Sequence, residues 1–237
     1  MSRNPREKVL LLGKLLVFEG IDRPGKSTQV KLLSQKLTDK GIDHKLLKFP
    51  CYETECGKML ATHLASHGAV RSRRCIHLLF SANRWEMMKE IVATLVSGTH
   101  IIVDRYAFSG VAYSVGAENL SYEWCITADD GLLSPDLVVY LDNPAAVSAA
   151  RSNFGDERYE QEGKLEAVRR VYEEFSSLPY WHKYDATLPQ EVLSKAIYER
   201  VASVLQSEPR RLHDAELHLP KDVTIETNKD VHLVPPF

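Results

Sequence analysis

The sequence predicts an α/β fold in which a parallel sheet of five strands carries helices on both faces. Short apolar runs alternate with amphipathic helical patterns along the chain. Strands that are joined through helices form crossover units, and such units build parallel sheets. A glycine-rich loop at 20–28 also separates the first of these strands from the first helix. The length of 237 residues suits one large domain, or two small ones at most.

Each element follows from its hydrophobic pattern and from the residues that bound it. Strands are predicted at 15–19, 44–49, 100–103, 137–141 and 180–184. Helices are predicted at 26–40, 55–67, 72–97, 163–177 and 189–206, with a short helix near Tyr122 and another opened by Asn143 and Pro144. In a parallel sheet, ligands bind at the carboxyl ends of the strands. We therefore expect the loop at Gly20, the segment at Phe49, and Asp104 to converge.

We expect one domain, 14–207, with an extension at each end. Residues 1–13 contain basic and apolar side chains as a signal peptide does, but a glycine and a lysine interrupt the apolar run. Cleavage after this run would also leave no room for the first strand, so we do not interpret the segment as a signal peptide. The second extension, 208–237, is broken by prolines, which favours a loosely ordered tail. Within it, 222–227 could add a short edge strand at most.

The charge balance and the cysteines limit the class of protein. The chain has 30 basic and 32 acidic residues, and nucleic-acid or membrane-surface binders need a basic excess. No apolar run approaches the roughly 18 residues of a membrane span. The four cysteines lack a C-x-x-C pair or zinc spacing, so they are interpreted as reduced thiols of a cytoplasmic protein, with a nuclear location also compatible. His63 and His67 share a predicted helix face and would need a third ligand to hold a metal.

The loop at 20–28 fits the pattern G-x-x-x-x-G-K-[ST] of a phosphate-binding loop. In this pattern backbone N–H groups surround a polyphosphate, the lysine (Lys26) reaches the outer phosphates, and the hydroxyl (Ser27) holds Mg²⁺. A strand precedes the loop and a helix follows it, so the helix dipole also favours an anion. An ordinary turn before a helix is the alternative. Pro24 is unusual here because it removes one N–H group from the loop.

Two further clusters suggest nucleotide chemistry. Asp104 ends an apolar strand, as does the carboxylate that holds the metal or its waters beside a phosphate loop, and Arg105 follows it. A solvated aspartate and a structural Arg–Asp ion pair are the alternatives. Phe80 and Arg84 share one face of a predicted helix and could frame a planar base. Periodicity alone would place Phe80 in the core and Arg84 on the surface.

Three phrases of the sequence are distinctive: FEGIDR at 18–23, FSANRW at 80–85 and DRYAFSGVAY at 104–113. They resemble thymidylate kinases of the eukaryotic type, and the resemblance runs from about residue 15 to residue 187. It implies a P-loop NTPase fold of the nucleoside monophosphate kinase type. It also implies transfer of the ATP γ-phosphoryl group to dTMP with Mg²⁺, by an enzyme that is commonly a homodimer and binds neither nucleic acid nor membrane.

The resemblance also implies roles for single residues. ATP would be bound by Gly20, Asp22, Arg23, Pro24, Gly25, Lys26, Ser27 and Thr28, with Arg151 beside the adenine. The dTMP site would contain Asp22, Phe49, Tyr52, Phe80, Arg84, Arg105, Ser109, Gly110, Tyr113 and Tyr159. The catalytic set would be Arg23, Lys26, Asp104 and Arg105, Ser27 and Asp104 would hold Mg²⁺, and about 153–160 would form a mobile lid. Phe80 would stack on thymine, Arg84 would meet its O4 edge, and Tyr113 would crowd the sugar 2′ position.

The chain departs from the family at two positions. Tyr52 stands where the family carries an arginine that clamps the dTMP phosphate, which predicts a high apparent KM for dTMP. Pro24 replaces a small residue, and we expect it to stiffen the loop that presents Arg23. Two other classes stay open: a regulatory P-loop switch or another small-molecule kinase, and a catalytically weakened relative with a structural or regulatory role.

Overall fold

The computed structural model of the protein describes residues 9–22, 25–65, 72–144 and 162–221. The elements in chain order are β1 (Leu10–Leu11), β2 (Leu15–Glu19), α1 (Lys26–Asp39), β3 (His44–Lys48), α2 (Glu55–Ala65), α3 (Arg73–Val96), β4 (His100–Asp104), α4 (Ala107–Gly116), α5 (Tyr122–Thr127), β5 (Leu137–Asp142), α6 (Glu162–Glu173), a 3₁₀ turn (Glu174–Ser177), β6 (Trp181–Asp185), α7 (Gln190–Leu205), β7 (Arg210–Arg211) and a 3₁₀ turn (Leu212–Asp214).

Five of the strands form one parallel sheet in the order β3-β4-β2-β5-β6, which confirms the predicted fold class. β2 lies at the centre, where Leu16 is in register with Ile102 of β4 on one side and Leu137 of β5 on the other. All five residues of β2 are buried. This explains why its sequence is an unbroken apolar run rather than an alternation, since both faces of a parallel sheet are covered.

The two faces of the sheet build two separate cores. On one face Leu16 and Phe18 of β2 pack with apolar residues of α1 and α7. On the other face Leu15 and Val17 pack with residues of α3, α4, α5 and α6. Successive side chains of a strand point to opposite faces, so β2 contributes to both cores. The central strand, which leads directly into the loop at Gly20, is therefore held rigidly from both sides.

The C-terminal extension differs from the expected loose tail as far as residue 221. β7 pairs antiparallel with β1, so Leu10 faces Arg211 and the two extensions join each other outside the main sheet. Ala215 and Leu217 have no exposed surface, and Leu219 is also buried in the larger core. Ordering a chain costs conformational entropy, and the prolines suggested that nothing in this tail would offset that cost. The buried apolar side chains and the paired backbone groups do offset it. The expected extensions therefore contain paired or buried residues, among them Leu10, Arg211 and Leu217.

Several expectations fall on residues outside the described ranges. They are the lid at 153–160, the helix opened by Asn143 and Pro144 beyond residue 144, the edge strand at 222–227, and His67. Within the described ranges, no helix is both long enough and apolar enough to cross a membrane. The elements that were predicted otherwise begin and end within a few residues of their predicted limits, whereas the sequence pattern did not predict α4, β1 or β7.

Candidate active site

A cavity of about 750 Å³ lies at the carboxyl ends of β2, β3 and β4. It has the size of a ligand-binding site, and this edge of the sheet is where such a fold binds ligands. Its walls bring together fourteen residues that sequence reasoning selected: Asp22, Gly25, Lys26, Ser27, Thr28, Phe49, Tyr52, Phe80, Arg84, Asp104, Arg105, Ser109, Gly110 and Tyr113. The phosphate loop and the expected acceptor site therefore share one cavity.

The phosphate loop ends at Gly25, which has a φ of 94° and caps the start of α1. A left-handed residue is strained unless it is glycine, so the loop can turn here into the helix. The side chain of Lys26 bends back over the loop, where its Nζ donates to the carbonyl oxygens of Gly20 at 3.0 Å and Ile21 at 2.5 Å. Burial, and then the positive charge of Arg105, lower the pKa of the Lys26 ammonium to about 7.

Ser27 and Asp104 place two side-chain oxygen groups next to each other beside the loop. The Ser27 hydroxyl donates to Oδ2 of Asp104 at 2.9 Å. The other carboxylate oxygen, Oδ1, is buried and has no hydrogen-bond partner among the residues that the structure describes. Mg²⁺ prefers one or two such oxygens and completes its octahedron with phosphate and water, so these two residues fit the ion. The described ranges contain no cluster of three His, Cys, Asp or Glu side chains that could hold a metal by themselves.

Arg105 is fixed at the centre of the cavity wall by its backbone and by its side chain. Its φ is 71°, a value that is uncommon for a residue other than glycine and that often marks a functional site. Its guanidinium Nη1 donates to Gly20 O at 3.1 Å and to Ser109 Oγ at 3.2 Å, and Nη2 pairs with Oδ1 of Asp22. The side chain therefore does form an Arg–Asp ion pair, which was the alternative left open for it, and its partner is Asp22 of the loop.

Asp22 joins the loop to Arg105 and to Tyr113 of α4. Its Oδ1 accepts from Arg105, and its Oδ2 accepts from the Tyr113 hydroxyl at 2.6 Å. The Arg105 guanidinium also lies over the Tyr113 ring, 5.3 Å from its centre. Burial opposes the charge on Arg105, but Tyr113 and Asp22 outweigh it and raise the pKa of the guanidinium. Arg105 therefore stays charged at the place where an acceptor phosphate is expected.

Arg84 is buried, which corrects the surface position that helical periodicity favoured. Only 2% of its side chain is exposed, and its Nε and Nη2 donate to the two carboxylate oxygens of Asp129 at 3.0 and 2.6 Å. Phe80, expected in the core, is only partly buried and lines the cavity one turn away. The bidentate ion pair with Asp129 offsets the free-energy cost of removing the arginine from water. Sequence reasoning missed Asp129, because no local pattern links it to residue 84.

Glu19 is a second residue that sequence reasoning missed. It ends β2 with no exposed surface. Its Oε1 accepts from the backbone N–H groups of Tyr106 at 2.8 Å and Ser109 at 3.2 Å. Its Oε2 accepts from the hydroxyls of Ser109 at 2.5 Å and Tyr172 at 3.0 Å. One carboxylate thus ties the start of α4 and the end of α6 to the strand that leads into the phosphate loop. A glutamate inside an apolar strand was the available signal.

The segment after β3 is held against α3 by Asn83, a residue for which no role was expected. The Asn83 side chain accepts from Cys51 N–H at 2.8 Å and donates to Cys51 O at 2.9 Å and to Thr54 Oγ1 at 2.6 Å. Phe49 is buried and precedes a cis peptide bond to Pro50. Tyr52, which stands where the resemblance implies an arginine, is 48% exposed at the cavity wall. The backbone of this segment is therefore held in place, while about half of Tyr52 is exposed.

Four of the expected site residues, Arg23, Pro24, Arg151 and Tyr159, lie outside the described ranges. The remaining one that does not line the cavity, Gly20, supplies the carbonyl oxygen that both Lys26 and Arg105 contact. His63 is buried and lines the cavity.

Comparison with known proteins agrees with this geometry. The family model described as thymidylate kinase matches residues 18–197. The thymidylate kinase of Plasmodium falciparum is 43% identical over 192 residues, which cover 81% of this chain and 91% of that protein. The human thymidylate kinase is 42% identical over 187 residues, covering 78% and 88%. The structure of the Candida albicans thymidylate kinase superimposes with a TM-score of 0.77 at 30% identity, covering 88% of this chain and 98% of that one. The chain therefore belongs to the thymidylate kinase family.

Proposed function

We propose that the protein transfers the γ-phosphoryl group of ATP to dTMP, giving dTDP and ADP. One observation carries the proposal: Lys26 from the phosphate loop and Arg105 from the acceptor side both donate to the carbonyl oxygen of Gly20. A cation for each substrate therefore meets at one point of a shared cavity. The family to which the chain belongs supports the identity of the two substrates.

The arrangement suits phosphoryl transfer because that reaction depends on positioning and on charge rather than on covalent catalysis. Two polyanions must be brought together, and Lys26 and Arg105 offset their repulsion. The N-terminus of α1 adds backbone N–H groups and the positive end of the helix dipole beneath the donor phosphates. Asp22 and Glu19 hold Arg105 and the start of α4 in place, so the cationic groups need no rearrangement when charge develops.

We include Mg²⁺ in the proposal, with Ser27 and Asp104 as the protein residues that would hold it. When bound with ATP, the ion would neutralise the charge on the transferred group. Oδ1 of Asp104 is buried and has no hydrogen-bond partner among the described residues, which supports this assignment. A homodimer and a cytoplasmic location are further parts of the proposal, which the family resemblance and the cysteine pattern favour.

A coupled assay with ATP, Mg²⁺ and a panel of nucleoside monophosphates tests the function. We expect activity on dTMP, less on dUMP and none on AMP. Lys26→Met should remove most of the turnover, whereas Lys31→Met, on the exposed face of the same helix, should not. ATP binding without transfer to any monophosphate would refute the proposal. Light scattering should give about twice the chain mass of 26.8 kDa if the homodimer forms.

A further inference from the structure

The guanidinium of Arg84 can face the acceptor pocket in one orientation only, because Asp129 holds two of its nitrogens. A planar, bidentate pair fixes the plane of the arginine as well as its position. The nitrogens Nη2 and Nη1 lie 2.7 and 3.1 Å from the point where a Cβ on Gly110 would stand, so α4 closes on the same group from the cavity side. The placement of Arg84 therefore depends on where Asp129 is held.

Asp129 lies on a loop between α5 and β5 that is held from two sides. From α3, the Ser81 hydroxyl and the Trp85 indole N–H both donate to Ala128 O, at 2.8 and 3.0 Å. From the other side, the C-terminal segment 215–219 lies beside the loop, where Glu216 forms an antiparallel bridge with Leu133. These two sets of contacts leave Asp129, with no exposed surface, between the helix and the segment.

The C-terminal segment contacts the loop through its backbone. Gly131 N–H donates to Leu217 O at 3.1 Å, and Leu217 N–H donates to Leu132 O at 2.6 Å. Ser134 N–H donates to Ala215 O at 2.7 Å, and the Leu217 side chain is fully buried in the larger core. Such a ladder fixes the path of the loop immediately after Asp129. The segment lies beyond residue 197, where the match to the family model ends.

We propose that Asp129 and the C-terminal segment act together as positioning elements for the acceptor base: the segment fixes the loop, the loop fixes Asp129, and Asp129 orients Arg84 in the pocket. The proposal deepens the proposed function and rests on it, since Arg84 is the residue expected at the base edge. It predicts that damage to a segment remote from the phosphate loop weakens dTMP binding while ATP binding is kept.

Two substitutions in the full chain test the two links. Asp129→Asn keeps the shape but removes the charge, and we expect the KM for dTMP to rise about 10-fold while the KM for ATP changes by less than about twofold. Leu217→Pro removes the N–H that reaches Leu132, and we expect a smaller rise in the KM for dTMP, about threefold or more. Hydrogen exchange of the Gly131 amide should become faster in Leu217→Pro, which reports the loosened loop without reference to activity.

Controls separate positioning from general loss of stability. Val201→Ala removes buried volume from α7 in the other core, so it should lower the melting temperature without changing the ratio of the two KM values. In the double variant Asp129→Asn/Leu217→Pro, the second change should add nothing to the first, because both act through Asp129. Should Leu217→Pro fail to fold, Leu217→Ala keeps both backbone hydrogen bonds and removes only buried packing, with the same expected direction.

The outcomes are distinct. An unchanged KM for dTMP in Asp129→Asn, or in a Leu217 variant whose Gly131 amide exchanges faster, would overturn the proposal. Equal rises in the KM values of dTMP and ATP would also overturn it, since they indicate general disruption. A wild-type protein that neither binds nor phosphorylates dTMP would instead refute the proposed function.

Discussion

Replacing Glu19 by glutamine should destabilise the fold far more than the loss of one charge suggests. The carboxylate has no exposed surface and accepts four hydrogen bonds, two from backbone N–H groups and two from hydroxyls. The amide oxygen of glutamine can keep the two backbone donors. Its NH₂ group would face the hydroxyls of Ser109 and Tyr172, which both donate to Oε2 in the native protein.

The expected cost follows from the two bonds that are lost. A hydrogen bond to a charged group contributes about 1.5–3 kcal/mol, and rotation of the hydroxyls recovers part of it, so we expect a loss of about 3 kcal/mol in unfolding free energy. For a chain of this size each kcal/mol lowers the melting temperature by about 2–4 °C, which predicts a fall of about 6–12 °C. The variant should still fold at 25 °C, because domains are commonly stable by about 5–15 kcal/mol.

Urea denaturation and thermal melting of Glu19→Gln measure this loss. The matched control is Asp39→Asn, which also neutralises one carboxylate with a single hydrogen bond, to Gln35, but on an exposed face of α1. We expect the control to change the unfolding free energy by less than about 0.5 kcal/mol. If Glu19→Gln were as stable as the control, the carboxylate would not be the tie between β2, α4 and α6 that its contacts indicate.

Three other predictions concern substrate binding. Tyr52→Arg should restore a charge-assisted phosphate contact and lower the KM for dTMP about 10- to 100-fold, with Tyr52→Met as the uncharged control; no improvement in steady-state kinetics would show that the site does not need the arginine. The pKa of Lys26 is lowered to about 7, and ATP binding needs the charged ammonium. ATP affinity should therefore be constant below about pH 7 and weaken about tenfold per pH unit above it. An affinity that calorimetry finds constant up to about pH 9 would contradict this. Gly110→Ala would place a Cβ 2.7 Å from Arg84 Nη2, and Asp129 prevents that nitrogen from moving aside. The KM for dTMP should therefore rise about 10-fold or more. The control Gly163→Ala, whose Cβ would meet nothing within 4 Å, should leave the KM for dTMP unchanged.

The fold and most of the cavity could be predicted because their signals are local. An unbroken apolar run predicts a buried parallel strand, and the spacing of Gly20, Gly25 and Lys26 predicts a phosphate loop at a helix start. Asp104 ends a strand and Arg105 follows it directly, so the topology of a parallel sheet alone brings them to the loop. The family phrases then placed Phe80 and Arg84 at the same cavity, where the structure has them.

The tertiary structure decided the partners that hold these residues, and their separation along the chain explains why. Arg84 and Asp129 are 45 residues apart, and Glu19 and Tyr172 are 153 apart. Helical periodicity placed Arg84 on the surface because the pattern distinguishes only polar from apolar residues. An arginine buried in an ion pair is polar, so the pattern cannot tell it from an exposed one. Prolines likewise suggested a loose tail, whereas backbone pairing of Ala215 and Leu217 with the loop after Asp129 orders that part of it. The sequence by itself determined the sheet, the loop and the chemistry of the cavity, because these follow from neighbouring residues. Only the packed chain determined which carboxylate fixes which cation, because that depends on contacts between residues far apart in the sequence.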